Sequence, residues 1–321
     1  MPNTSETISA APTAHKQKHI FVLLNPGSSR ANPATLRATI ERVFSLADVR
    51  YSVHTTEEGE NLPATVRKAV EAGHTHVVAA GGDGTVSAVA DGLLDSDACM
   101  AIVPIGTANV LARELRIPLN PEHALGLLVQ AHTEVTLDVM RFRDRIAVLQ
   151  IGIGLGSVMI RDTQPWAKRI IGRSAYLGTA FMRFFGFEPR RFTIEVDDET
   201  HRTAAMHVVI ANGGVMGTRP FRWGPNIVPT DGMVDVAILS ARTARDALKL
   251  VWIMLSGKQR RSRDVRYLRA GRRIKVTASP ELPIQADGEI IGTTPIEVQV
   301  VKSAVRVVVP HEYELEAAED T

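Results

Sequence analysis

The stretch VVAAGGDGTVSAV, residues 77–89, runs an apolar strand straight into Gly81, Gly82 and Gly84 and then into a helix opened by Thr85. Glycine allows the sharp turn and lets backbone amides approach a ligand with no Cβ in the way. The first turn of the helix, with Val86 and Ser87, adds unpaired N–H groups and the positive end of a dipole, a ready setting for a phosphate. Asp83 is poorly suited to hold a phosphate itself, but its carboxylate can accept bonds from a ribose or organise a metal-bound water. A plain strand-to-helix turn is the competing reading. The spacing is neither the dinucleotide fingerprint nor a P-loop, since no GxGxxG follows the first strand and no GKS or GKT occurs.

The flanks repeat one pattern. Residues 20–24 (IFVLL), 50–54, 76–80 and 100–103 read as short buried strands, and 35–46, 62–72, 86–94 and 108–115 carry helical spacing. Strands alternating with helices imply a parallel sheet covered on both faces, with ligands at the carboxyl ends of its strands. Two further strand ends are small and polar: Asn25-Pro26-Gly27-Ser28-Ser29 after the first, and PIGTAN (104–109) after the fourth. In the latter Gly106 offers a backbone turn, Thr107 a hydroxyl and Asn109 a two-way hydrogen bonder. Three such turns on one rim point to a nucleotide.

From about residue 144 the texture changes. Residues 146–153, 192–196, 206–211, 234–239, 274–277, 296–301 and 305–309 read as strands, while helices reduce to 175–185 and 244–255. Asp231-Gly232 and Asp287-Gly288 mark turns. This half reads as antiparallel and sandwich-like. At roughly 150 residues per domain, 321 residues suggest two domains. The expected division is a disordered leader (1–18), a nucleotide-binding α/β domain (19–143), a β-rich domain (144–310) and an acidic tail (311–321). Hydrophobic residues at 45% and charged residues at 22% exclude a disordered chain, and the single Cys99 excludes a disulfide scaffold. Ten histidines are scattered with no HExxH, so no zinc site is implied.

The motifs NPGSS, GGDGT and PIGTAN, in this order and spacing, resemble the nucleotide-binding half of the bacterial diacylglycerol kinase-like lipid kinases. That family is related to sphingosine and ceramide kinases, and more distantly to NAD kinases and phosphofructokinases. The resemblance covers roughly residues 19–310 and implies ATP as phosphate donor with Mg²⁺. QADGE (285–289) resembles the family's late D-G-E motif. By that resemblance Glu289 is the base that takes the acceptor hydroxyl's proton as phosphorus–oxygen bonding develops, and Asp287 orients it or a magnesium ion. VPTDGM (228–233) resembles a second D-G turn that holds a structural Mg²⁺, which would take Asp231 and the backbone carbonyls of Val228 and Met233. Both D-G pairs also read as plain turns. The family's nucleotide contacts carry over to residues 25–29, to Gly82–Ser87 and to Thr107. Thr55 matches a family threonine, although Thr56 beside it leaves the register open. Ser29 stands where glycine is usual, and Gln150 where asparagine is common.

Charge adds one more expectation. Lys plus Arg at 37 against Asp plus Glu at 35 leave a net +2, which argues against a general nucleic-acid binder. Residues 257–273 nevertheless hold eight Lys or Arg and one acid, for a local +7, and a second basic and aromatic zone spans 161–191. Basic residues near an anionic bilayer contribute about 1 kcal/mol each, so these zones suit docking on a membrane that presents the lipid substrate. A solvated face paired with acids elsewhere is the alternative. With no signal-like or spanning segment, the expected place is the cytoplasm, peripherally on the inner face of the membrane, and a homodimer is allowed. Two other functions stay open: a soluble-substrate kinase of the NAD kinase type, and a non-catalytic nucleotide-binding regulator.

Overall fold

The computed structural model describes residues 18–28, 32–130, 132–162, 189–224, 226–241, 245–246, 249–250, 252–253, 262 and 264–313. The leader before 18, the tail beyond 313, the expected helix at 175–185 and half of that at 244–255 lie outside the described residues. Four parallel strands, β1 (His19–Leu24), β2 (Arg50–Thr55), β3 (His76–Gly81) and β4 (Cys99–Pro104), stand in the order β2-β1-β3-β4. Every residue of β3 and β4 is buried, which is why they read as unbroken apolar runs; β2, at the edge, keeps half-exposed polar residues. Each buried Val or Ile there contributes roughly 1.5–3 kcal/mol.

The helices that follow these strands differ in how they begin. At α1 (Pro33–Leu46), α2 (Leu62–Glu71) and α5 (Pro121–Gly126), an asparagine caps the first turn: Asn32 accepts from Ala34 N, Asn61 from Ala64 N, and Asn120 from Glu122 N and His123 N. Proline follows each within two residues, pre-setting the helical φ. By contrast, α3 (Asp83–Leu93) is capped by Gly82, which has no side chain to offer, and α4 (Val110–Glu114) follows Asn109, whose side chain makes no capping bond. The two helices without a cap of their own are those at the GGDGT and PIGTAN turns.

The second half adds β5 (Thr133–Phe142), β6 (Arg145–Ala147), β7 (Gln150–Gly154), α6 (Leu155–Asp162), β8 (Arg190–Val196), β9 (Glu199–Ala205) and β10 (His207–Ala211). Then come β11 (Val215–Met216), β12 (Thr218–Arg222), β13 (Val234–Leu239), β14 (Val265–Ala270), β15 (Arg273–Ser279), β16 (Pro283–Ala286), β17 (Glu289–Thr293) and β18 (Ile296–Val309). A six-stranded sheet, β14-β13-β10-β7-β16-β17, is antiparallel at every pairing. Ile151, Ile153, Val208 and Val236 on its inner face pack against Phe192, Ile194, Ile274 and Val276 of the ten-stranded sheet, in which β1–β4 continue through β18 into β15, β8 and β9, and this makes the expected sandwich.

Three expected strands changed shape. Residues 296–301 and 305–309 form one long strand, β18, whose register against β5 slips between Val301 and Val305. Ser303 sits in the slip at φ 48°, and its N–H donates to Asp138 Oδ1 at 2.8 Å. β18 also ties the halves together: its start pairs with β15, and Arg306 and Val307 run parallel to β4. Residues 146–153 divide into β6 and β7, because Val148 and Leu149 turn their amides to a side chain far along the sequence.

Candidate active site

The three polar turns meet at the carboxyl ends of β1, β3 and β4. Asn25 Nδ2 donates to Thr85 Oγ1 at 3.0 Å, and Asn25 Oδ1 accepts from Gly27 N at 3.0 Å, so the first turn is tied to the start of α3. Pro26–Ser28 form a single 3-10 turn, and Ser29 lies outside the described residues. The glycines have a packing reason. A Cβ at Gly81 would stand 2.3 Å from Thr85 Oγ1, and one at Gly106 would stand 2.5 Å from the Cα of Gly82. The turns therefore touch backbone to backbone. Asn109, at φ 50°, donates through Nδ2 to Gly106 O at 3.0 Å. Asp83 Oδ1 accepts from Val110 N at 2.6 Å, so the GGDGT acid supplies the cap that α4 lacks. Burial pushes the Asp83 pKa up, while the α4 amides pull it down. Thr55 is exposed at the end of β2 and Thr56 is buried, its N–H donating to Leu24 O at 2.9 Å.

Facing these turns is the β16–β17 hairpin, with Asp287 at φ 45°. Asp287 Oδ1 accepts from Leu149 N at 3.0 Å and Gln150 N at 2.9 Å, and Oδ2 accepts from Val148 N and Ser87 Oγ, each at 2.8 Å. One carboxylate thus binds α3, the β6–β7 connection and the hairpin. Burial pushes its pKa above the ordinary value against the pull of those four donors. The next acid is free to do more. Glu289 Oε1 lies 3.8 Å from where a Cβ at Gly84 would stand, and Oε2 accepts from Arg145 Nη2 at 3.0 Å. Asn25, Gly84, Thr85, Ser87, Asp287 and Glu289 all line one cleft of about 410 Å³. Glu60, Asp91 and Arg145, none foreseen in the sequence, line it too. Arg145 follows an ordinary turn, and its partner is 144 residues away, so nothing local marks it.

The second D-G turn is built differently. Asp231 Oδ1 accepts from Met233 N at 3.0 Å and Oδ2 pairs with Arg269, so the carboxylate has a guanidinium beside it. Gly232 N donates to Asp138 Oδ2 at 2.6 Å. A cation held by Asp231 and the backbone carbonyls of Val228 and Met233 would share that carboxylate with Arg269, whose side chain is half exposed. Among the described residues no group of three or more His, Cys, Asp or Glu gathers to hold a metal ion.

The described arginines of the basic segment have local partners. Arg266 meets His201, Arg269 meets Asp231 and Asp235, Arg272 meets Asp198, and Arg273 lies 3.9 Å from Glu297. Lys258, Arg260, Arg261 and Arg263, with Trp166, Lys168, Arg169, Arg173, Phe184 and Phe185 of the other zone, lie outside the described residues. Among the described residues no helix is long and apolar enough to cross a membrane.

Comparison with known proteins gives this arrangement a class. Residues 19–142 match the diacylglycerol kinase catalytic domain, and residues 151–309 match the YegS C-terminal NAD kinase beta sandwich-like domain. A solved structure of a diacylglycerol kinase from Bacillus anthracis superposes with a TM-score of 0.73 at 18% identity, covering 93% of this chain and 99% of that one, and so shares the fold. A Pseudomonas putida protein named "Probable lipid kinase YegS-like" is 30% identical over 80% of this chain and 85% of its own length. The diacylglycerol kinase of Bacillus subtilis is 25% identical over 92% of this chain and 97% of its own length. An uncharacterised Synechocystis protein is 32% identical, and the chain spans 61% of its length. The chain belongs to the lipid kinase family that includes the YegS-like and bacterial diacylglycerol kinases, enzymes that act on a lipid alcohol.

Proposed function

We propose that this protein transfers the γ-phosphate of ATP to a hydroxyl of a membrane lipid of diacylglycerol, phosphatidylglycerol or sphingoid type. The observation that carries the reading is the placement of Glu289: its Oε1 lies at the open start of α3, 3.8 Å from the Gly84 Cβ position, in the same cleft as Asn25 and Thr85. The α3 amides, uncapped by Gly82, are suited to bind and orient the phosphates, with Gly106 packed on Gly82 and Thr107 exposed on the same turn. Glu289 takes the proton from the acceptor hydroxyl as it attacks phosphorus. Asp287 does not share that task; with four donors on its two oxygens it fixes the hairpin that carries Glu289. A magnesium ion accompanying the nucleotide would neutralise phosphate charge and keep several waters.

The membrane supplies the second substrate. The basic segment 257–273 and the basic and aromatic zone 161–191 supply positive charge for docking on an anionic bilayer. The test is incubation with γ-labelled ATP and a panel of diacylglycerol, phosphatidylglycerol, sphingosine, ceramide and undecaprenol in mixed micelles, followed by solvent extraction. Label in one extracted lipid is the expected result. Label confined to the aqueous phase, with a soluble acceptor phosphorylated instead, would favour a kinase of the NAD kinase type.

A further inference from the structure

The cleft has a charge problem. Among the described residues lining it, Arg145 is the one cation, set against the carboxylates of Glu60, Asp91, Asp287 and Glu289. Glu60 is held by His54 at 2.8 Å and Thr65 at 2.6 Å, and Asp287 is saturated as described. Asp91 pairs with Arg67 at 3.8 Å and feels the Arg145 charge, while Glu289 takes the guanidinium's hydrogen bond, Arg145 Nη2 standing 3.0 Å from Oε2. The same carboxylate's Oε1 reaches the Gly84 position, so the guanidinium sits one carboxylate away from the open start of α3. Both side chains are about half exposed, at 56% and 62%, and such pairs hold weakly. A guanidinium in this position has a stronger alternative partner, because its planar fork matches phosphate oxygens in a two-point contact.

We propose that Arg145 recognises the terminal phosphate of the nucleoside triphosphate and leaves Glu289 to do so. With the cleft empty, Arg145 neutralises Glu289. With the triphosphate bound, the guanidinium moves to the γ-phosphate, and Glu289 is released as a free base beside the acceptor hydroxyl. The same side chain then selects triphosphate over diphosphate, since a diphosphate ends short of it. This rests on the reading of the cleft as a nucleotide site. Arg145 itself touches the transferred group and is a catalytic residue in that sense.

Calorimetric titration of ATP and ADP, each with MgCl₂, into wild type, Arg145→Ala, Glu289→Gln and the double variant tests it. Arg145→Ala is expected to weaken ATP about tenfold and ADP less than about twofold. Glu289→Gln is expected to tighten ATP about threefold by freeing the guanidinium, and that gain vanishes in the double variant. Equal losses for ATP and ADP in Arg145→Ala, or no loss for either, would overturn the proposal while leaving the nucleotide reading intact. A wild type that binds neither nucleotide would overturn both.

Discussion

Asp287 and Glu289 are two residues apart, yet the fold gives them opposite work. Asp287 is a buried acceptor for Val148, Leu149, Gln150 and Ser87, and Glu289 is a half-exposed carboxylate on the cleft. The sequence motif marks both as acids, and only the backbone amides that surround one of them separate the roles. Those amides lie 137 to 139 residues away in the chain, beyond any local pattern. Asp287→Asn puts an NH₂ group where two donors already point, and leaves at least one buried N–H unsatisfied. Urea unfolding should show a loss of about 1–3 kcal/mol. An unchanged midpoint would mean the hairpin does not depend on that acid. Gln150, at the position where asparagine is common, is put to use by accepting from Trp223 Nε1.

At the scale of elements, what was legible in the sequence was what short-range chemistry dictates. Strands β1, β3 and β4 are apolar runs ended by glycine or polar turns, and each turn lies where the local residues place it. The long strand β18 was not legible as one element, because Lys302, Ser303 and Ala304 look like a break. Asp138 holds the Ser303 amide and turns that break into a bulge. β5 was missed altogether, since its polar start only becomes strand-like beside β18. The close approach of the GGDGT and PIGTAN turns is a property of the pair. Gly106→Ala would drive a Cβ to 2.5 Å from Gly82 Cα and 2.8 Å from Asn109 Oδ1, with backbone on one side unable to yield cheaply. We expect a stability loss of about 1–3 kcal/mol and at least about tenfold weaker ATP binding, read by thermal melts and titration on the same sample. ATP affinity equal to wild type would show that the turns do not jointly form the phosphate site.

Across the whole molecule, the two halves are joined by more than the chain. Within one sheet β18 runs from β15 of the β-rich half to β4 of the α/β half, and Glu114 on α4 accepts from Val215 N at 2.6 Å and pairs with Arg222 at 2.9 Å, fastening the β11–β12 hairpin to the α/β half. The second sheet also buries His207, whose pKa burial pushes down to about 4. The sign follows from linkage: the unfolded chain takes up a proton on this histidine below about pH 6.5, and the folded chain resists it until about pH 4. Stability from His207 is therefore full above pH 6.5 and drains as pH falls towards 4, at up to about 1.4 kcal/mol per pH unit. Denaturant midpoints measured from pH 7 to pH 4 should fall, and His207→Gln should fall less steeply. A parallel decline in the two would remove His207 from the acid sensitivity.

The central claim is that a carboxylate of the β-rich half acts on a phosphate held by the α/β half. Single-turnover transfer from labelled ATP to the preferred lipid, comparing wild type with Glu289→Gln at saturating ATP, tests it most directly. Glu289→Gln should bind ATP at least as tightly as wild type and transfer its phosphate about 10²–10⁴-fold more slowly. Transfer at the wild-type rate with ATP bound would contradict the assignment of Glu289 as the base.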